Sequence, residues 1–106
     1  LDGTFGNVTN VNEEISNEVK THTLVQNYPN PFNPKTAISF SLFSAGNVTL
    51  KIYNALGKEI ATLVSEQKEA GNYIVYWNAE KFPSGIYFYQ LQTNSFSEKR
   101  KMILMK

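Results

Sequence analysis

Few side chains in this sequence have the type and spacing that chemistry requires. His22 is the single histidine and Asp2 the single aspartate. A Ser-His-Asp arrangement would have to draw both from one polar N-terminal stretch, with no packing to hold the geometry that proton transfer needs. Zinc asks for three or four Cys, His or carboxylate ligands, and here one His stands without any Cys. The carboxylates cluster as Glu13-Glu14-Glu18 and as Glu66 with Glu69 around Lys68. Both groupings read as solvated charged segments and not as calcium loops. Leu56-Gly57-Lys58 is a lone turn with a cation and lacks the clustered glycines of a phosphate loop. Glu98-Lys99-Arg100-Lys101 is a short basic run, better suited to guarding a sheet edge than to holding nucleic acid. Tyr87, Phe88 and Tyr89 have the form of a sugar-stacking platform, but in a small sandwich such residues more often fill the core and pair across strands. The residues therefore point to no catalytic centre, metal site or cofactor.

The bulk composition agrees with a binding or structural role. Ten basic and nine acidic residues leave a formal charge of +1, which exerts no long-range pull on nucleic acid or anionic lipid. No apolar run reaches the ~20 residues of a membrane helix. The chain has 106 residues, 42% of them hydrophobic and 13% aromatic, enough for one domain whose rings favour a pleated sheet. Without Cys, packing must hold that domain together. The first residue is Leu1 and not Met, so the expectation is the end piece of a longer protein.

The elements follow from period and punctuation. Residues 1–23 are rich in Asn, Gly and Glu without a strong apolar face and are expected to form a polar linker. Val11, Ile15 and Val19 recur every fourth residue, which would also suit a turn or two of helix. Pro29, Pro31 and Pro34 then fix an extended lead-in that can be neither helix nor central strand. Tyr28 and Phe32 are available to pin it to the core. Beyond Pro34 the apolar residues alternate with period two. Strands are expected at Ile38–Leu42, Val48–Tyr53, Lys58–Val64, Tyr73–Asn78, Ile86–Thr93 and Glu98–Met105, with Ser65–Glu69 as a polar loop. Six or seven short strands with turns between them predict an all-β, antiparallel sandwich.

From Leu24 onward the chain resembles the type IX secretion C-terminal sorting domain family, also called the Por secretion tail. The likeness is to the branch similar to the Ig-like domain of flagellar hook-capping proteins. It is carried by Asn27-Tyr28-Pro29-Asn30-Pro31-Phe32-Asn33-Pro34, Ile38–Leu42, Ile52-Tyr53-Asn54-Ala55-Leu56-Gly57, Ala70-Gly71-Asn72-Tyr73, Trp77-Asn78 and Ser84-Gly85-Ile86-Tyr87-Phe88-Tyr89. It ends on Lys101-Met102-Ile103-Leu104-Met105-Lys106. Phe43 departs from the family, which often has Pro after the Leu. The resemblance implies an Ig-like sandwich of about seven strands over residues 24–106, joined by the linker to an upstream passenger. Its partners would be the outer-membrane translocon of type IX secretion and a sortase-like peptidase, and the cargo would be secreted or reach the cell surface by way of the periplasm. The expected recognition residues lie on the last strand: Lys99, Lys101, Met102, Ile103, Leu104 and Lys106. Three successive apolar residues in a strand cannot share a face, so either Ile103 or the pair Met102 and Leu104 looks outward. An open edge would add unpaired backbone to a charged rim. An Ig-like structural, adhesion or carbohydrate-binding module is the alternative that the same residues allow.

Overall fold

The computed structural model describes residues 21–106 of the chain. Most of the linker expected over 1–23, with Val11, Ile15 and Val19, lies outside them. Seven strands follow in order: β1 (Thr23–Leu24), β2 (Lys35–Leu42), β3 (Gly46–Asn54), β4 (Glu59–Lys68), β5 (Gly71–Asn78), β6 (Gly85–Gln92) and β7 (Ser97–Leu104). They form a three-stranded sheet, β1-β2-β5, and a four-stranded sheet, β4-β3-β6-β7. All strand pairs are antiparallel.

The alternation read from the sequence becomes the core. Ile38, Phe40 and Leu42 from β2 meet Val48, Leu50 and Ile52 from β3, Tyr87, Tyr89 and Leu91 from β6, and Met102 and Leu104 from β7. On β2 and β3 the outward neighbours include Ser39, Ser41, Thr49 and Lys51, so shifting either strand by one residue would expose its apolar set. Trp77 is buried beside three rings, with centroids 5.8 Å from Phe32, 5.6 Å from Phe82 and 5.7 Å from Tyr87. The Tyr87 hydroxyl donates to the Pro83 carbonyl at 2.6 Å, four residues back. This is the tyrosine corner of Ig-like sandwiches, which fixes the entry to the sixth strand. Asn54 organises the β3–β4 turn: its Oδ1 accepts from the amides of Leu56 and Lys58. Gly57 sits there at φ 86°, a conformation that a side chain would oppose.

Four expectations need correction. The Ser65–Lys68 stretch, expected as loop, continues β4, because its backbone pairs with Gly46–Thr49 whatever the polarity of its side chains. Thr23 belongs to a strand that the sequence did not announce, since two residues carry no period. His22, expected in the linker, is buried between Phe43 (4.9 Å) and Phe96 (5.6 Å) and accepts a hydrogen bond at Nδ1 from the Phe43 amide. Of the two proposed pins, Phe32 is buried at 2% exposure, whereas Tyr28 stands outside at 79%.

Candidate recognition surface on the terminal strand

β7 is an edge strand by topology, but the lead-in runs along its outer side. The Phe32 amide donates to the Ile103 carbonyl, and the Met105 amide donates to the Phe32 carbonyl, both at 2.9 Å. These form a parallel bridge between Phe32 and Leu104. Asn30 Oδ1 accepts from the Ile103 amide, Gln26 Nε2 donates to the Lys101 carbonyl, and Arg100 Nε donates to the Leu24 carbonyl. The open edge expected on this strand is therefore occupied at the Lys101 carbonyl, at both backbone groups of Ile103 and at the Met105 amide. The lead-in is itself held from beneath by Tyr89, whose hydroxyl accepts from the Asn27 amide at 2.8 Å and donates to the Val25 carbonyl at 2.7 Å. Asn27, also buried, donates through Nδ2 to Thr36 Oγ1 and the Pro29 carbonyl.

The six predicted residues divide by side-chain direction. Met102 and Leu104 are fully buried in the core, so neither offers a partner a surface. Ile103 is the apolar residue that looks outward, half-buried, with Lys99 and Lys101 exposed on the same face. Lys99 Nζ lies 4.9 Å from the centroid of the Tyr53 ring, a cation–π contact. Lys106 is turned to the opposite end of the sandwich: its amide donates to Ser84 Oγ and its ammonium to the Glu80 carbonyl. It does not join the other lysines.

Cross-strand register enlarges the surface beyond what the sequence singled out. Lys101 lies beside Phe88 and Ile103 beside Ile86, while Phe88 in turn lies beside Tyr53. The outer face of β6–β7 thus carries Ile86, Phe88 and Ile103 in a rim of Lys99 and Lys101. Lys51 lies on the same face, paired with Glu59 at 3.3 Å. The hydrogen bond from Thr62, then the Lys51 ammonium, holds the Glu59 carboxyl below its ordinary range. The outward phase of the β6 alternation, opposite to Tyr87 and Tyr89, was the available signal for Phe88. This arrangement can dock an apolar, partly anionic protein surface.

Elsewhere, a cavity of about 110 Å³ at one end of the sandwich is lined by His22, Ser44, Val48, Thr93 and Ser95. Among the described residues no carboxylate lines it. Among the described residues no group of three or more His, Cys, Asp or Glu comes together, and no helix is long and apolar enough to cross a membrane.

Comparison with known proteins is consistent with this geometry. No curated protein matches the chain. The crystal structure of dimeric latent PorU from Porphyromonas gingivalis shares the fold, with a TM-score of 0.60 at 16% identity, over 95% of this chain and 10% of that one. The chain thus spans a small fraction of that protein's length. The family model described as secretion system C-terminal sorting domain matches residues 26–105, from the lead-in through the terminal strand. The chain belongs to the secretion system C-terminal sorting domain family, the sorting signal of type IX secretion.

Proposed function

We propose that this domain is a non-catalytic address read on the outer face of β6–β7, where Lys99, Lys101 and Ile103 meet Phe88 and Ile86. The observation that carries the reading is the division of β7. Its backbone edge is closed by the lead-in from the Lys101 carbonyl to the Met105 amide, so over that stretch a partner must read side chains, and the side chains that face out are an apolar centre with a basic rim. The partner is the outer-membrane translocon of type IX secretion, reached through the periplasm, and a sortase-like peptidase acts afterwards. The cargo is an upstream passenger joined through the polar N-terminal residues, where cleavage would release it to the medium or the cell surface. A folded domain suits this task, because it presents one fixed surface.

The test is export of a fused reporter in a cell with type IX secretion. Exchanging Lys99 and Lys101 for Glu reverses the rim while altering only exposed groups, whose replacement usually shifts stability by no more than about 0.5 kcal/mol. The variant is expected to melt close to the parent and to leave the reporter in the periplasm. Normal export of the charge-reversed variant would place the signal elsewhere on the domain. Retention of the reporter carrying the intact domain in several such hosts would refute the sorting role.

A further inference from the structure

Four strands stand at sheet edges, and three of them are guarded. β1 is two residues long, and β7 is covered by the lead-in. β4 carries Glu59, Glu66 and Lys68 and is broken by two register shifts against β3. β5 has none of these devices. Gly71–Asn78 contains no charge and no proline, and it pairs with β2 through eight consecutive residues without a shift. Among the described residues no strand pairs with its other side. A long, regular, apolar edge is what natural sheets avoid unless something covers it.

The direction of its free amides follows from bonds already made. Ala37 exchanges hydrogen bonds with Tyr28, and the Val25 amide donates to the Ser39 carbonyl, so the odd residues of β2 turn toward β1. The even residues of β2 therefore face β5, where they meet Tyr73, Val75 and Trp77. The Ala79 amide, which donates to the Pro34 carbonyl, continues that phase. Alternation then sends the N–H and C=O groups of Asn72, Ile74, Tyr76 and Asn78 to the open edge. The same residues point their side chains away from the core, with Ile74 58% and Tyr76 75% exposed.

This edge is self-complementary. About Val75 the segment mirrors itself in character: Asn72 matches Asn78, the aromatic Tyr73 matches Trp77, and the exposed Ile74 matches the exposed Tyr76. An antiparallel pair with its two-fold axis at Val75 sets Ile74 opposite the partner's Tyr76 and Asn72 opposite the partner's Asn78. All four residues with free amides fall in hydrogen-bonded positions. A slip of one residue would oppose inward to outward side chains. No like charges meet. The outward rows Tyr28–Ala37–Tyr76 and Val25–Ser39–Ile74 each place one small residue between two exposed apolar ones. Across the axis each row would continue into the other row of the second copy.

We propose that β5 is the interface for a second copy of this chain, paired antiparallel about Val75 into one continuous six-stranded sheet. This goes beyond the sorting role and is independent of it, since the β6–β7 face stays open in such a dimer. The test uses the full 106-residue chain, which has no Cys of its own. Sedimentation from about 1 µM to about 1 mM is expected to show a reversible dimer. Ile74→Pro removes an edge donor without touching the β2 ladder, and two-fold symmetry applies the loss twice. It is expected to weaken the dimer about tenfold or more while leaving the circular dichroism of the fold intact. Val75→Cys places two thiols at the axis, in a non-hydrogen-bonded pair whose ~4.5 Å Cα separation a disulfide can span. On oxidation it is expected to yield a linked dimer, whereas Ile74→Cys, set beyond ~7 Å by the same register, does not. A monomer throughout the range would overturn the proposal. So would a dimer unaffected by Ile74→Pro, or equal cross-linking at positions 74 and 75. Capture of an extended uncharged peptide by a chain that stays monomeric would assign the edge to another protein and likewise overturn it.

Discussion

Replacing Tyr89 with Phe removes one oxygen from the centre of the domain, and its effect can be worked through. The Tyr89 ring is fully buried, and its hydroxyl is the partner of the Asn27 amide and the Val25 carbonyl. Phenylalanine fills the same space and leaves both groups orphaned. A buried donor or acceptor without a partner costs about 1–3 kcal/mol. Asn27 is buried and would bear that cost in full, while the half-exposed Val25 lets water reach its carbonyl. The expected loss is therefore about 2–3 kcal/mol near neutral pH. At ~4–8 °C per kcal/mol for a domain this size, melting would fall by roughly 10–20 °C.

The same oxygen supplies a second, independent signature. Burial disfavours the phenolate and pushes the Tyr89 pKa up to about 12, although the Asn27 amide and the Arg100 charge act the other way. The unfolded chain ionises this group near pH 10. Below that pH both states keep the proton and the stabilisation is complete. As pH rises from about 10 to about 12 the unfolded state loses its proton first, so the wild-type stability falls across that window by about 2–3 kcal/mol. Tyr89→Phe has no such proton to lose. The advantage of the wild type should be full at pH 7 and approach zero by about pH 12. Urea unfolding followed by the fluorescence of Trp77, the single Trp, measures both quantities. A variant within about 0.5 kcal/mol of wild type at pH 7, or a gap that stays constant with pH, would refute the role given to this hydroxyl.

Two further outcomes are expected. Trp77→Ala should cost about 3–5 kcal/mol, because the indole fills the space between Phe32, Phe82 and Tyr87; an unchanged melting temperature would remove it from the core. Amide hydrogen exchange should find Ile103 and Met105 protected although β7 is an edge, with the protection lost in Phe32→Ala, while Ile74 and Tyr76 exchange quickly in dilute solution. Fast exchange at Ile103 and Met105 in the parent chain would mean that the lead-in does not cover β7.

The sandwich was legible because six of its strands bury one face, and one buried face imposes a period of two. That signal placed Ile38–Leu42 and Val48–Tyr53 within β2 and β3, and Ile86–Thr93 over β6, one residue past its end at Gln92. It failed where burial was not what made the strand. Ser65–Lys68 is held by backbone pairing to Gly46–Thr49, so its polar side chains carried no hint. His22 is buried by Phe43 and Phe96, far along the chain, and a lone His between polar neighbours cannot announce such contacts. The recognition surface was half visible for the same reason. The sequence marked the lysines and required one side of Met102-Ile103-Leu104 to look outward. Only the sheet could decide for Ile103, bring Phe88 and Ile86 alongside it, and close the strand's edge with residues more than seventy positions earlier.

The clasp between the lead-in and β7 also has a mechanical meaning. Phe32 and Leu104 run parallel, so a pull on the chain ahead of the lead-in, resisted at the end of β7, draws the two segments past each other along their length. Under that load the Phe32 bonds to Ile103 and Met105, with the Asn30, Gln26 and Arg100 contacts, must stretch together and cannot break singly. A pull at right angles would open them in sequence and at lower force. The domain is therefore strongest along the line that joins the chain ahead of the lead-in to the end of β7.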